Sequence, residues 1–151
     1  MTFATDKLVT ARKTHKCGEC FRPIVKGEKY HRGAGSWEGD FWHLKWCRPC
    51  DQFRSILLYV DAEFWNECYG GIGSWVDNVG AQELSDRDFS WTFRLHIARL
   101  CSMYRQHWAG LTSEIEHAQA AMQIEKSRRA KESAEKLRQY NEQLRRSGVI
   151  K

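Results

Sequence analysis

The chain has 151 residues, about one domain's worth, and 42% of them are hydrophobic, enough to bury a core. A net charge of +5 permits contact with nucleic acid without demanding it. No apolar run approaches the roughly 18 residues of a membrane span, and the opening MTFATDKLVTARK lacks the apolar core of a secretory leader. The expectation is a soluble cytoplasmic protein with no membrane partner and its six cysteines reduced. Charge is uneven: residues 1–50 carry ten basic and five acidic side chains, 51–111 five and eight, 112–151 nine and six.

Residues 1–16 are polar and basic and read as a solvated entry strand, with a phosphate-binding arm through Arg12, Lys13 and Lys16 as the other reading. Cys17 and Cys20 then form one C-x2-C pair, and Cys47 and Cys50, after 26 intervening residues, form a second. Two such pairs have the spacing of a four-thiolate zinc site, because cysteines two residues apart can both bend toward one tetrahedral ion. A redox C-x-x-C would explain one pair and not both. Gly18 is expected to supply a positive φ in the first turn. Pro49 suits the first turn of a helix, where its missing N–H would have no partner anyway. His43 is an alternative ligand to one cysteine, and His15 and His31 are weaker ones.

Lys26-Gly27-Glu28 reads as a turn. Residues 29–46 read as a hairpin. On its return strand Trp42, Leu44 and Trp46 alternate with Phe41, His43 and Lys45, the period of a strand with one apolar face. The connection GAGSWEGD is glycine-rich and is expected to be a flexible loop that carries Trp37, either tucked back or used as a binding anchor.

From Asp51 the apolar period becomes helical through Phe53, Ile56, Leu57, Val60, Phe64 and Cys68, with an end near Tyr69-Gly70-Gly71. Cys68 on that stripe reads as a small core residue. Trp75, Val76 and Val79 fit one short helix. A further helix, capped by Ser85 or Asp86, runs to about Trp108 with Phe89, Phe93, Ile97, Leu100, Cys101 and Tyr104 on one side. His96 and His107 fall off the centre of this stripe and read as surface or core-edge groups. Thr112 or Ser113 opens a long helix of good helix formers to about 147, with Glu132–Lys136 and Glu142–Arg146 as i,i+4 pairs. Ala130, Ala134, Leu137, Asn141 and Leu144 space like a short coiled-coil seam, so 127–144 is a candidate for self-association or partner docking; a solvent-exposed helix with a frayed end is the other reading.

The fold class is therefore mainly α with a small N-terminal zinc-bound β-hairpin module of treble-clef-like layout and a long C-terminal helix. The expected division is a zinc module at 1–50, a helical core packed on it at 51–111, and a long charged helix at 112–151.

The run KCGECFRPIVKGEKYHRGAGSWEGDFWHLKWCRPC, with the later ECYGG, resembles a group of small uncharacterised four-cysteine zinc-finger proteins encoded by bacteriophages. The resemblance covers about residues 11–80 and is carried by the cysteines and by the KGE and WEGD segments. It implies a phage protein acting in the bacterial cytosol and brings no known activity. More distantly the segment resembles LIM-type modules, which bind proteins, and PARP-type modules, which bind DNA ends. Cys50 departs from the PARP type by completing a four-cysteine set.

A closed thiolate site has no open position for a substrate or water. Treble-clef frames also occur in His-metal nucleases, but the helix after Asp51 has no histidine, and Asp61, Glu63 and Asn66 form no recognised motif. There is also no G-x-S-x-G and no H-E-x-x-H. The leading expectation is a zinc-stabilised, non-enzymatic protein that binds, and thereby inhibits or redirects, a host protein through Trp37, Trp42 and Tyr140. The alternative is nucleic-acid binding through Arg12, Lys13, Lys16, Arg32, Lys45 and Arg48, and the third is a metal-dependent nuclease.

Overall fold

In the computed structural model, which describes residues 3–37, 39–63, 71–78, 80, 84, 88–105 and 111–147, the N-terminal part is built on strands. β1 (Phe3–Thr10), β4 (Lys29–Trp37) and β5 (Asp40–Cys47) form an antiparallel sheet in the order β1-β4-β5. β2 (His15–Lys16) and β3 (Pro23–Ile24) form a separate two-stranded ribbon that carries the first cysteine pair in its turn. The entry segment is thus the third strand of the sheet, with Thr5, Lys7 and Val9 facing one way and Asp6 and Leu8 the other.

The glycine-rich connection is not a loop. Strand pairing continues through it, with Gly33 opposite Leu44, Gly35 opposite Trp42 and Trp37 opposite Asp40. The reason lies on the neighbouring strand. The indoles of Trp46 and Trp42 lie across β4, and a Cβ on Gly33 would meet Trp46 ring carbons at 2.7 Å. Glycine is there to admit two large rings and does not mark a bend.

Helix α1 spans Arg48–Val60, with Cys47 as its N-cap residue and proline in its first turn. Its apolar side is Phe53, Ile56, Leu57 and Val60, all fully buried. The helix stops earlier than its periodicity suggests. Asp61 turns to extended backbone (φ −137°, ψ 106°). Its buried carboxylate accepts the Trp75 indole N–H at 2.8 Å and the Glu63 N–H at 2.9 Å. Continuing the helix would leave that buried indole donor unpaired, at a cost that outweighs one more turn.

Helix α2 spans Ile72–Asn78 and buries Ile72, Trp75 and Val76. Helix α3 spans Trp91–Arg105, and α4 spans Leu111–Arg146. α3 starts later than the expected Ser85 or Asp86 cap, although Phe89 before it is still buried. Residues 88–90 are held outside the helix by α4: Arg128 and Arg129 both donate to the Asp88 carbonyl, at 2.9 and 2.8 Å, and the Ser90 N–H points to Glu125 at 3.4 Å. Phe93, Ile97, Leu100 and Cys101 of α3 pack against Ile115, Ala118, Ala121 and Met122 of α4. Cys101 is a buried core thiol, as its place on the stripe implied.

The 36-residue helix α4 is about 54 Å long at 1.5 Å per residue. Only its first half is packed. From Ala130 through Gln143 every residue is exposed, including Ala130, Ala134, Leu137, Tyr140 and Asn141 of the expected seam. The Glu142–Arg146 pair forms at 2.6 Å, whereas Glu132 pairs back to Arg128 at 2.5 Å in place of Lys136. Phe64, Asn66, Cys68, Val79, Ser85, Asp86, His107, Trp108, Gly110 and the side chain of Trp37 lie outside the described residues.

Gly33→Ala is expected to destabilise the protein by about 1–3 kcal/mol through displacement of the Trp46 ring, read as a lower urea midpoint. A second test concerns Glu125. Its carboxyl, buried and so penalised when charged, is nevertheless held down at about 2 by Arg128, the Ser90 N–H and Arg129. Its stabilisation is present above its ordinary value of 4.5 and is lost as pH falls toward about 2. Glu125→Gln should cost on the order of 1–3 kcal/mol near neutral pH, with the gap to wild type closing over that acid window in parallel urea titrations.

Candidate metal centre

The two cysteine pairs, far apart in sequence, converge. All four sulfur atoms lie within 4.8 Å of one another, an arrangement compatible with a metal ion. The Cys17–Cys50 and Cys20–Cys47 Sγ separations are 3.7 Å and the Cys47–Cys50 separation is 3.4 Å. These are far beyond a disulfide bond of roughly 2.05 Å, and the cysteines are free. Cys17, Cys47 and Cys50 are buried and Cys20 is half-buried.

Backbone geometry sets each thiol in place. The Cys17 N–H donates to the Arg22 carbonyl at 2.9 Å, and the Phe21 N–H to the Cys17 carbonyl at 3.1 Å, closing the knuckle. The left-handed residue of this turn is Phe21, with φ 62°, and not the expected Gly18. Gly18 serves close approach instead. Its N–H donates to the Lys45 carbonyl at 2.7 Å, and an added Cβ would sit 3.4 Å from that oxygen. The knuckle is thereby fastened to β5, two residues before Cys47. The Cys47 N–H in turn points to Cys17 Sγ at 3.3 Å. The second pair needs no loop of its own, because Cys47 caps α1 and Cys50 lies in its first turn.

Hydrogen bonds from Cys20, Cys47 and Cys50 hold Cys17 far below the ordinary thiol range. Cys20 and Cys50 are pushed far above it, first by their hydrogen bonds to Cys17. Cys47, raised by Cys17 and lowered by Cys20 and Cys50, comes out below the ordinary thiol range. Crowded thiols of this kind shed their remaining protons when a cation is coordinated. The Arg22 guanidinium reaches both Glu28 and Cys47 and adds positive charge at the cluster edge.

Glu19, between the two cysteines of the knuckle, connects the centre to the helices. One carboxylate oxygen pairs with the buried Arg54 of α1, and the other accepts the Ile72 N–H at the start of α2 at 3.2 Å. Its backbone carbonyl faces the Tyr104 hydroxyl of α3 at 3.5 Å. Arg54 continues the chain of contacts by lying 4.5 Å over the Trp46 ring. Trp46 donates its indole N–H to Asp51 at 3.0 Å and stacks on His31. Sequence reasoning passed over Glu19 and Arg54. The available signal was an arginine on the apolar side of α1, which needs a carboxylate partner to be buried.

Asp6, His31 and Asp51 form a second close group. His31 Nδ1 lies 3.2 Å from Asp6 and Nε2 lies 3.2 Å from Asp51. The two carboxylates face opposite nitrogens of one ring, so the imidazole bridges β1, β4 and α1. His43 is exposed on β5, outside the four-thiol group. His96 is half-buried and pairs with Glu114 at 2.7 Å.

Of the proposed partner-binding residues, Trp42 is 39% exposed and Tyr140 is 56% exposed. Of the phosphate-binding candidates, Arg12, Lys13, Lys16, Arg32 and Arg48 are exposed and Lys45 is half-buried. Lys13, Arg32 and Lys45 converge on His15, whose pKa is lowered by desolvation and then by these three cations. Lys45 Nζ lies 3.2 Å from His15 Nδ1, and Lys16 lies over the Phe21 ring at 5.0 Å. No helix among the described residues is long and apolar enough to cross a membrane. Comparison with family models, with curated proteins and with solved structures returned no match.

Glu19→Ala removes the carboxylate from a buried charge pair and is expected to cost about 3–5 kcal/mol while leaving the metal content of the purified protein unchanged. Thermal melts paired with elemental analysis separate the two effects.

Proposed function

We propose that Cys17, Cys20, Cys47 and Cys50 hold one structural zinc ion and that the protein is a non-enzymatic binding protein whose working surface is the sheet braced by that ion. The observation that carries the zinc assignment is the spacing of the sulfurs. A tetrahedron with Zn–S bonds of about 2.3 Å has S–S edges of about 3.8 Å, close to the 3.7 Å separations of Cys17–Cys50 and Cys20–Cys47. A soft, all-thiolate donor set suits zinc. The order of knuckle, hairpin and capping helix is that of a treble clef. Four protein ligands close the coordination sphere, so the ion serves folding and not substrate activation.

In keeping with the resemblance to phage zinc-finger proteins, the partner proposed is a host protein of the bacterial cytosol. The sheet face built from β1 residues Asp6 and Leu8, β4 residues His31 and Gly33, and β5 residues Trp42 and Leu44 supports this reading. Leu8, Leu44 and Trp42 on that face are 50%, 43% and 39% exposed. An apolar strip rimmed by Asp6 and Asp40 has the make-up of a protein contact. Tyr140 and Leu137 on the outer half of α4 offer a second contact at 56% and 59% exposure.

Cys47→Ser is expected to abolish stoichiometric zinc and, in the cobalt-substituted protein, the thiolate-to-metal charge-transfer absorption. Loss of the ion, worth on the order of 10 kcal/mol in finger peptides, should unfold at least residues 11–55. For the partner, tagged protein is passed through bacterial lysate beside Leu44→Glu. The reading expects a host protein that the wild type retains and the variant loses. Retention by both, or enrichment of nucleic acid alone, would contradict it.

A further inference from the structure

The opposite face of the same sheet has another character. β1 presents Thr5, Lys7 and Val9 there, β4 presents Tyr30, Arg32, Ala34 and Ser36, and β5 presents Phe41, His43, Lys45 and Cys47. The register sets Lys7 directly opposite Arg32, and Arg32 directly opposite Lys45. Three cations therefore stand in one row across three strands, spanning about 10 Å at 4.8 Å per strand. Like charges directly opposite one another destabilise a sheet. Among the described residues no carboxylate stands on this face, and none pairs with Lys7 or Arg32.

The row continues onto the knuckle ribbon. The His15 ring packs on Tyr30 at 5.4 Å, which places β2 beside this face, and Lys13, Arg32 and Lys45 all act on that imidazole. Along β5 in the other direction, His43 and then Phe41 follow Lys45 on the same side, and Phe41 is 79% exposed. Two residues of strand advance about 6.8 Å, so a ring stands roughly 14 Å beyond the cationic row. Cations that repel one another in the free protein, with an aromatic ring on the same open plane, match a chain of phosphates whose bases are free to stack.

We propose that this face binds single-stranded nucleic acid, with Lys7, Arg32, Lys45 and Lys13 on the phosphates and Phe41 under a base. The protein partner proposed above belongs to the Trp42–Leu44 face, so the two ligands occupy opposite sides of one sheet. The sheet's repulsion supplies the selectivity for a polyanion, and Phe41 the preference for unpaired bases. A duplex would offer phosphates to the row and leave the ring unused.

The test uses the zinc-loaded full chain with fluorescently labelled 20-nucleotide single strands of DNA and RNA, a 20-base-pair duplex, and polyglutamate as competitor. Three to four phosphate contacts give a log–log salt slope near −2 to −3 for single strands, so the affinity should fall roughly 20- to 50-fold between 50 and 200 mM salt. Arg32→Glu is the decisive variant, because it puts a carboxylate between two lysines. It should weaken binding at least tenfold while the melting temperature holds or rises. Phe41→Ala should weaken single-strand binding at least fivefold and leave duplex binding unchanged. Lys136→Glu on the outer half of α4 should change neither, and Leu44→Glu should leave nucleic-acid binding intact while losing the host protein. A flat salt response overturns the proposal, as does binding that is indifferent to Arg32→Glu. So does a duplex bound as tightly as single strands with no effect of Phe41→Ala, or polyglutamate competing as well as the oligonucleotide.

Discussion

Four thiols confined within 4.8 Å of one another cannot all ionise on their own, and each that does raises the cost for the next. A divalent cation would resolve this conflict, and the local geometry is compatible with one. The knuckle closes through Cys17 and Arg22, the Gly18 N–H fastens it to β5, and Cys47 ends the strand by starting the helix. Strand, ribbon and helix meet at one point, so holding that point holds their relative positions. A single ion held there would organise this much chain because the four cysteines sit at the ends of elements.

From the cluster, order passes outward through two side chains. Glu19 ties the knuckle to α1, α2 and α3 through Arg54, the Ile72 N–H and the Tyr104 hydroxyl. Trp46 ties the sheet to α1 through Asp51 and Arg54, and it needs the bare backbone of Gly33 beneath its ring. The helical part packs around Trp75, Phe93, Ile97, Leu100 and Ile115 and has its own polar clasp at Glu125, within one core cluster that also takes in Ile24, Tyr30 and Trp46. Among the described residues the sheet contributes only Tyr30, Trp46 and Cys47 to the buried members of that core. Its two faces remain largely open, one apolar at Leu8, Trp42 and Leu44 and the other cationic at Lys7, Arg32 and Lys45. A surface that open can persist only if something else supplies its stability, which is the role assigned to the metal.

Much of this is legible in the sequence alone. The two C-x2-C pairs, the alternation from Phe41 to Trp46 and the stripes through Phe53–Val60 and Phe93–Leu100 each carry a local periodicity or a ligand spacing. What was missed depends on partners distant in sequence. The entry segment reads as a solvated strand, but its place in the sheet beside β4 is set by pairing with residues 29–36. Gly33 reads as a loop residue because the indoles that require it are on another strand. The end of α1 at Asp61 depends on Trp75, and the late start of α3 on Arg128 and Arg129. Lys7 entered no phosphate-binding set, since its place beside Arg32 is a matter of register. Glu19 carries no signal of its own in the sequence, because Arg54 and Ile72, which give it its role, are distant in the chain.

The central claim is that the metal holds the sheet and the helices hold themselves. Amide hydrogen exchange of the purified protein, followed before and after a strong zinc chelator, tests it most directly. The account expects chelation to erase protection across Lys29–Cys47 and the first turn of α1 while 93–100 and 115–125 keep most of theirs. Undiminished protection in β4 and β5 after complete zinc removal would contradict it.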